Sequence, residues 1–307
     1  MNAPRLAWLA WITVCVIWGT TYLAIRVALE TVPVALVAGL RWTTAGLILG
    51  AFCVARGRAL PGVAWWPSLA LLGFLMNVMG NGLVVWAEQY VASGLTAVLI
   101  ASVPFWSAGI EALLPRGERA RLTTVAGLTV GFSGIVVLVW PELTSGGAAG
   151  RQFIAGVIAL QLACLGWALG TSYSKRHPSS ADPLAVSTVQ MLFGGAMLLA
   201  AATAAGEWDQ LHFSARTLAA MVYLTIVGSM VAYTAYMYAI QHLPISIVSL
   251  YAYVNPLIAV VLGTLLLGEP FSLRILFAGA LVLTGTAVVR GVQSPGVSPA
   301  ATRRDHR

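Results

Sequence analysis

Arg26, Arg41, Glu88 and Glu111 lie within or at the edge of long apolar runs. An ionised side chain in a bilayer costs several kcal/mol unless it meets a partner or a cavity. Arg41 stands eight residues into its run, about 12 Å below the end, too deep to snorkel easily to the surface. Arg26 and Glu88 close their runs on the same side, and Glu30 lies one turn beyond Arg26. Two chemistries fit. Arg41 and Glu88 form an ion pair that closes a gate or locks the fold. Alternatively, Arg41 receives a substrate carboxylate, with Glu88 meeting an amine or a proton. Glu111, near the opposite end of its run, is expected in solvent or paired with Arg116 or Arg119.

Uncharged groups add to this set. Asn77 and Asn81 are four residues apart and Glu88 is seven further, which puts all three on one face of a regular helix. A shift of 152 residues maps Gly73, Asn77 and Asn81 onto Thr225, Ser229 and Tyr233, and Tyr236 extends that second stripe. The stripes either face each other across a cavity or bond packed helices together. Trp11, Trp65, Trp66, Trp140 and Trp208 fit interfacial belts. Trp18, Trp86, Trp106, Trp167, Tyr173, Tyr238, Tyr251 and Tyr253 fit them less simply. Rings with a polar tip suit apolar or cationic solutes, so some of these are expected to line a path. Gln161 and Gln190 are mid-run polar candidates of the same standing.

The elements that position these residues follow from composition. The chain is 59% hydrophobic and 9% charged, against about 25% charged in soluble domains. Its mean hydropathy is +0.86, so lipid is the solvent for most of it. Ten apolar runs can be marked: 8–28, 33–55, 65–87, 92–114, 122–140, 152–172, 184–205, 217–239, 244–267 and 273–290. The first continues past Trp18 without a small-x-small cleavage site, so it reads as a span rather than a leader. The net charge of +7 sits in short loops and reflects topology, not nucleic-acid binding. Of 17 Lys and Arg, twelve fall on the side of the N-terminus and three on the other, with Arg26 and Arg41 inside runs. By the positive-inside bias both termini are cytoplasmic. Residues 291–307, rich in Ser, Pro and Arg, are expected to form a disordered cytoplasmic tail.

The chain repeats itself. Trp86–Pro104 is echoed by Tyr238–Pro256. Gly19-Thr-Thr-Tyr22 returns as Gly170-Thr-Ser-Tyr173, Pro33-Val-Ala as Pro183-Leu-Ala, and Gly117-Glu118 as Gly268-Glu269. Five spans per copy invert the second copy, which gives repeats over 8–140 and 152–290 about a pseudo-two-fold axis in the membrane plane. Pro104 and Pro256 fall at equivalent mid-span positions and are expected to kink their helices, either as static bends or as hinges. Gly127-x-x-x-Gly131 suits close helix packing, within one protomer or between protomers of a homodimer.

The Trp18–Arg26 start, Leu40-Arg41-Trp42, Ser102-Val-Pro104 and the Gly-Glu turns resemble EamA domains of the drug/metabolite transporter superfamily. Gly80–Glu88 and Ser249–Pro256 are similar, more narrowly, to YedA-like exporters. The resemblance covers residues 8–290, although Glu111 has no place in the pattern. It implies ten helices and movement of small metabolites, amino acids or drug-like compounds across the bacterial inner membrane, commonly as export. No phosphate-binding loop is present and the only lysine is Lys175, so a secondary carrier is expected. Glu88 is the candidate for proton coupling. A channel or a membrane-embedded enzyme is the alternative, but no HExxH, GxSxG or Asp/His cluster supports catalysis. No cofactor or metal is expected. Cys15, Cys53 and Cys164 lack metal spacing, and so do the four histidines.

Overall fold

The computed structural model describes residues 3–114, 122–145, 147–177, 179, 181–243 and 251–293, and among these it contains helices and connecting turns only. The helices are α1 (Ala3–Ala28), α2 (Val34–Ala55), α3 (Val63–Ala87), α4 (Ser93–Leu113), α5 (Leu122–Ser145), α6 (Ala148–Arg176), α7 (Pro183–Ala204), α8 (Ala215–Val222, Tyr223–Val231 and Ala232–His242 in series), α9 (Tyr251–Leu267) and α10 (Leu273–Gln293). Eight are long and apolar enough to cross a bilayer. The helices α9 and α10 are shorter apolar segments at the ninth and tenth expected spans. Residues 244–250, where the ninth span was expected to begin, lie outside the described residues, as does the tail from 294. Residues 291–293, assigned to that tail from sequence, continue α10.

Local chemistry sets the ends. Gly57, Gly206 and Gly268 adopt positive φ, about where α2, α7 and α9 stop, a conformation a β-carbon disfavours. Asp182 caps α7 by accepting from the Leu184 and Ala185 amides at 2.8 and 3.4 Å. Ser214 and Thr217 cap α8 reciprocally.

Two departures from regular helix matter for the site. Gly73–Gly82 of α3 and Tyr223–Val231 of α8 are π-helical. In both, a side chain bonds the carbonyl five residues back: Asn81 Nδ2 to Met76 O at 3.2 Å, and Ser229 Oγ to Leu224 O at 3.0 Å. The two segments occupy equivalent places in the two copies. Separately, α4 breaks at Ala101–Ser102, just before Pro104. Ser102 Oγ donates to Leu99 O at 2.7 Å and Thr286 of α10 to Ala101 O at 2.9 Å, so the carbonyls around the break keep partners. By contrast, α9 continues helically through Pro256.

Packing joins the halves. Helix α2 lies along α7 and α5 along α10, while α1 contacts α8 and α9, and α6 contacts α3 and α4. Glycines permit the close approaches. A Cβ on Gly285 would stand 2.7 Å from Gly131 Cα, and one on Gly134 the same distance from Ala278 O. The Gly127/Gly131 motif packs between α5 and α10 of one chain. Apolar side chains such as Leu47, Leu71, Phe132, Leu257 and Phe277 point outward, as lipid-facing positions require.

Candidate functional site

The deepest charge belongs to α2. Arg41 is 4% exposed. Its Nε donates to Ser229 Oγ in the π segment of α8 at 2.8 Å. The guanidinium stands over the Trp42 ring at 4.7 Å. Gly228 packs beside it, where a Cβ would lie 3.1 Å from Thr21 Cγ2 and 3.6 Å from Arg41 Nη2. The ion pair with Glu88 that the sequence suggested is not formed within 4.0 Å. Arg41 spends a donor on a hydroxyl of the opposite half and keeps its charge uncompensated by a contacting carboxylate.

Glu88 lies just beyond the end of α3 and is fully buried. Neither carboxylate oxygen has a hydrogen-bond partner. Arg26, expected on the same side, donates through Nη1 to the Glu88 main-chain carbonyl. Burial pushes the Glu88 carboxyl well above the usual carboxylate range; Glu269 adds to this, and Arg26 and Arg41 oppose it.

The opposite half supplies a neutral counterpart of the Arg41 contact. Gln190 of α7 donates to Asn77 Oδ1 in the π segment of α3 at 3.1 Å. Asn77 and Ser229 are the equivalent positions of the two copies, and both are buried. Asn77, Asn81 and Glu88 do not act as one stripe. The π register turns Asn77 toward α7, Asn81 bonds its own backbone, and Glu88 sits beyond the helix end. A spacing argument that assumes the α-helical period fails across ten π-helical residues.

Aromatic residues gather where the two halves meet. Trp18 of α1 packs on Tyr236 of α8 and Tyr251 of α9, with ring centroids 5.3 and 4.9 Å away, and the two tyrosines lie 6.1 Å apart. Tyr233 is bonded to Ser187 of α7. Trp86 packs edge-on to Tyr90 at 5.2 Å. Trp167 is half-buried against the Gly80 backbone, and Tyr253 is half-buried on α9. Gln161 Oε1 accepts from Trp106 Nε1 at 3.0 Å and Ser102 Oγ at 3.2 Å, while its Nε2 is buried without a partner.

Glu111 has partners that the sequence did not suggest. It accepts from Ser172 Oγ at 2.8 Å and pairs with Arg176 at 3.0 Å, both on α6. Arg116 and Arg119 lie outside the described residues.

Sequence reasoning missed two carboxylates that cross between halves. Glu207, in the α7–α8 loop, accepts from the Ala35 and Leu36 amides of α2 at 3.2 and 3.0 Å. Glu269, in the α9–α10 loop, accepts from the Ser93 and Gly94 amides of α4 at 2.8 and 3.1 Å. Both place negative charge on helix N-termini, where it is stabilised by amides that lack a partner within the helix and by the helix dipole. The repeated Gly-Glu turn was the available signal for Glu269; its partner was not legible.

An all-helical, two-copy bundle with paired π segments and eight helices long and apolar enough to cross a bilayer defines a multi-pass membrane protein. The chain belongs to the EamA-like transporter family, which it matches over residues 5–140 and 154–291. It is 35% identical over 278 residues to the uncharacterized inner membrane transporter YedA of Escherichia coli (strain K12), covering 90% of this chain and 88% of that one. It is 30% identical to a WAT1-related chloroplastic protein of Arabidopsis thaliana, over 92% of this chain and 69% of the other. A solved crystal structure shares the fold with a TM-score of 0.60 at 21% identity, covering 93% of this chain and 97% of that one.

Proposed function

We propose that this protein is a secondary carrier of the bacterial inner membrane that exports small metabolites, amino acids or drug-like compounds by alternating access. Ten spans form two inverted repeats, with both termini in the cytoplasm. The α1–α2, α3–α4, α7–α8 and α9–α10 loops then lie on the outer side. The inner-membrane location is supported by the E. coli relative.

The observation that carries the reading is Arg41. A guanidinium buried inside a bundle, held by Ser229 and lacking a contacting carboxylate, is a receptor for an anionic group of the cargo. Asn77 and Asn81 lie along the same route at the π segments. Trp18, Trp86, Trp167, Tyr233, Tyr236 and Tyr253 supply ring faces for the rest of the solute. Pro104 and Pro256 are the hinges about which α4 and α9 rock. The Gly127/Gly131 seam is occupied by α10, so any pairing of two copies uses another face.

The test has two stages. An efflux screen in overexpressing cells, with Arg41→Ala as control, finds the cargo. Counterflow in proteoliposomes then measures it. A carrier accelerates uptake when unlabelled cargo is loaded on the opposite side, whereas a channel does not. Absence of that stimulation would sink the reading. If Pro104→Ala and Pro256→Ala both transport at the wild-type rate, the hinge assignment fails.

A further inference from the structure

We infer that Glu88 is a proton-binding site whose occupancy controls an outer latch made by Glu269 on α4. This deepens the carrier reading and rests on its topology for the word outer.

Glu269 is built to cross the interface. Gly268 takes the left-handed conformation (φ 63°), and the Glu269 amide donates back to Gly263 O at 3.1 Å. That turn folds the side chain toward the other half. Gly263 leaves room for it, since a Cβ there would stand 2.9 Å from Glu269 Cδ. The carboxylate then takes the Ser93 and Gly94 amides, the first two of α4. Two charge-assisted bonds thus tie the α9–α10 turn of the second repeat to a helix of the first.

Glu88 starts the loop that ends at Ser93. Its carboxyl is fully buried and bonded to nothing. Glu88 is fully buried and Glu269 partly so; Glu269 lies within electrostatic reach of Glu88, and a like charge nearby disfavours ionisation of the buried carboxyl. Glu269 has two amides and a helix terminus to hold a charge. Glu88 has neither, so Glu88 takes the proton. The other titratable or charged groups in reach are Tyr22 and Arg26 of α1 and Arg41 of α2, and Cys164 of α6 and Tyr251 of α9 lie in turn within reach of Tyr22.

When Glu88 gives its proton to water on the outer side, a second negative charge appears beside the latch. Arg26 and Arg41 attract that charge, and Glu269 is repelled. Glu269 sits on a turn, whereas Glu88 is fixed at a helix end, so Glu269 is the group that moves. The α4 amides lose their cap and the outer end loosens. The ligand of the site is the proton itself, so the test needs no knowledge of the cargo.

Hydrogen exchange of the full chain in nanodiscs, followed on a peptide spanning residues 89–100, reads the capped amides directly. The scan runs from about pH 5 to about pH 9, which brackets the range known for buried glutamates. After correction for chemical exchange, wild-type protection falls about tenfold toward alkaline pH. Glu88→Gln stays protected throughout, and Glu269→Gln is unprotected throughout. Gly263→Ala, which leaves Glu88 untouched, also abolishes protection at every pH. Infrared spectra supply an independent readout that does not require Glu88→Gln to be well folded. The wild type shows a protonated-carboxyl band at neutral pH that is lost with alkaline titration and retained in Glu269→Gln. Protection independent of pH in the wild type, or a Glu88→Gln profile that follows the wild type, overturns the latch. Counterflow is scored separately, so a silent latch with intact counterflow removes this inference and leaves the carrier standing.

Discussion

The two halves make the same contact with different chemistry. In one, Arg41 of α2 reaches Ser229 in the π segment of α8. In the other, Gln190 of α7 reaches Asn77 in the π segment of α3. The scaffold needs a long polar side chain to bridge these helices, because a polar group at the π segment cannot be left unbonded in lipid. An amide meets that need. A guanidinium exceeds it, and the excess is a net charge that structure alone does not require. The buried charge at this joint therefore belongs to the first repeat, and the second makes its joint with an amide.

The comparison can be broken most severely at Arg41. Arg41→Gln converts the charged joint into its neutral twin. Bundle stability should hold, while counterflow of the screened cargo falls by about a hundredfold or more, the scale of losing a buried charged contact of about 3 kcal/mol. Preserved transport would mean that Arg41 is only a bridge.

Steric disruption of a seam comes next. Gly285→Val would push a side chain into the Gly127 and Gly131 backbone and should cost about 1–3 kcal/mol, seen as a lower melting temperature in micelles. An unchanged melt would show that α5 and α10 part easily.

Glu88 predicts a pH slope. A carboxyl whose native pKa is raised above its unfolded value keeps its proton after the unfolded chain has lost one. Between those two values the unfolded state binds fewer protons, so stability falls as pH rises. The melting temperature should decline from about pH 4.5 upward and flatten in Glu88→Gln. An equal slope in both proteins removes Glu88 as its source.

The neutral joint should matter least among the buried contacts. Asn77→Leu is expected to cost about 0.6 kcal/mol, the average for interhelical hydrogen bonds in membranes, with little loss of counterflow. A loss comparable to Arg41→Gln would make Asn77 a cargo contact of equal weight rather than a wall of the route. Smallest of all, Arg58→Ala removes an ion pair with Asp182 that is 44% and 32% exposed and should shift stability by less than about 1 kcal/mol.

Much of the fold was legible because a bilayer leaves few options. Apolar runs near 20 residues, Gly and Pro at their ends, and a repeat at a fixed offset gave the helices and their two copies. The deviations have specific causes. Pro104 breaks α4 while α9 runs through Pro256, because the chain around Ala101 finds Thr286 as an outside donor. The polar stripe of α3 dissolves because ten residues adopt the π register. Glu111 turns to Arg176 because α6 packs on α4. Site residues were legible as types, since charge inside apolar sequence stands out. Their partners were not.

Sequence by itself determined that the chain fills a membrane with two copies of one unit, and that the second has Met191 and Ile240 where the first has Arg41 and Glu88. Hydrophobicity and repetition are local properties, and the residues state them directly. Tertiary structure alone decided that Arg41 meets a serine rather than Glu88, that Glu88 is left unpartnered, and that Glu207 and Glu269 cap helices of the other half. Those outcomes depend on which helix faces which and at what rotation. Helical spacing fixes only the faces of one helix and carries no record of its neighbour.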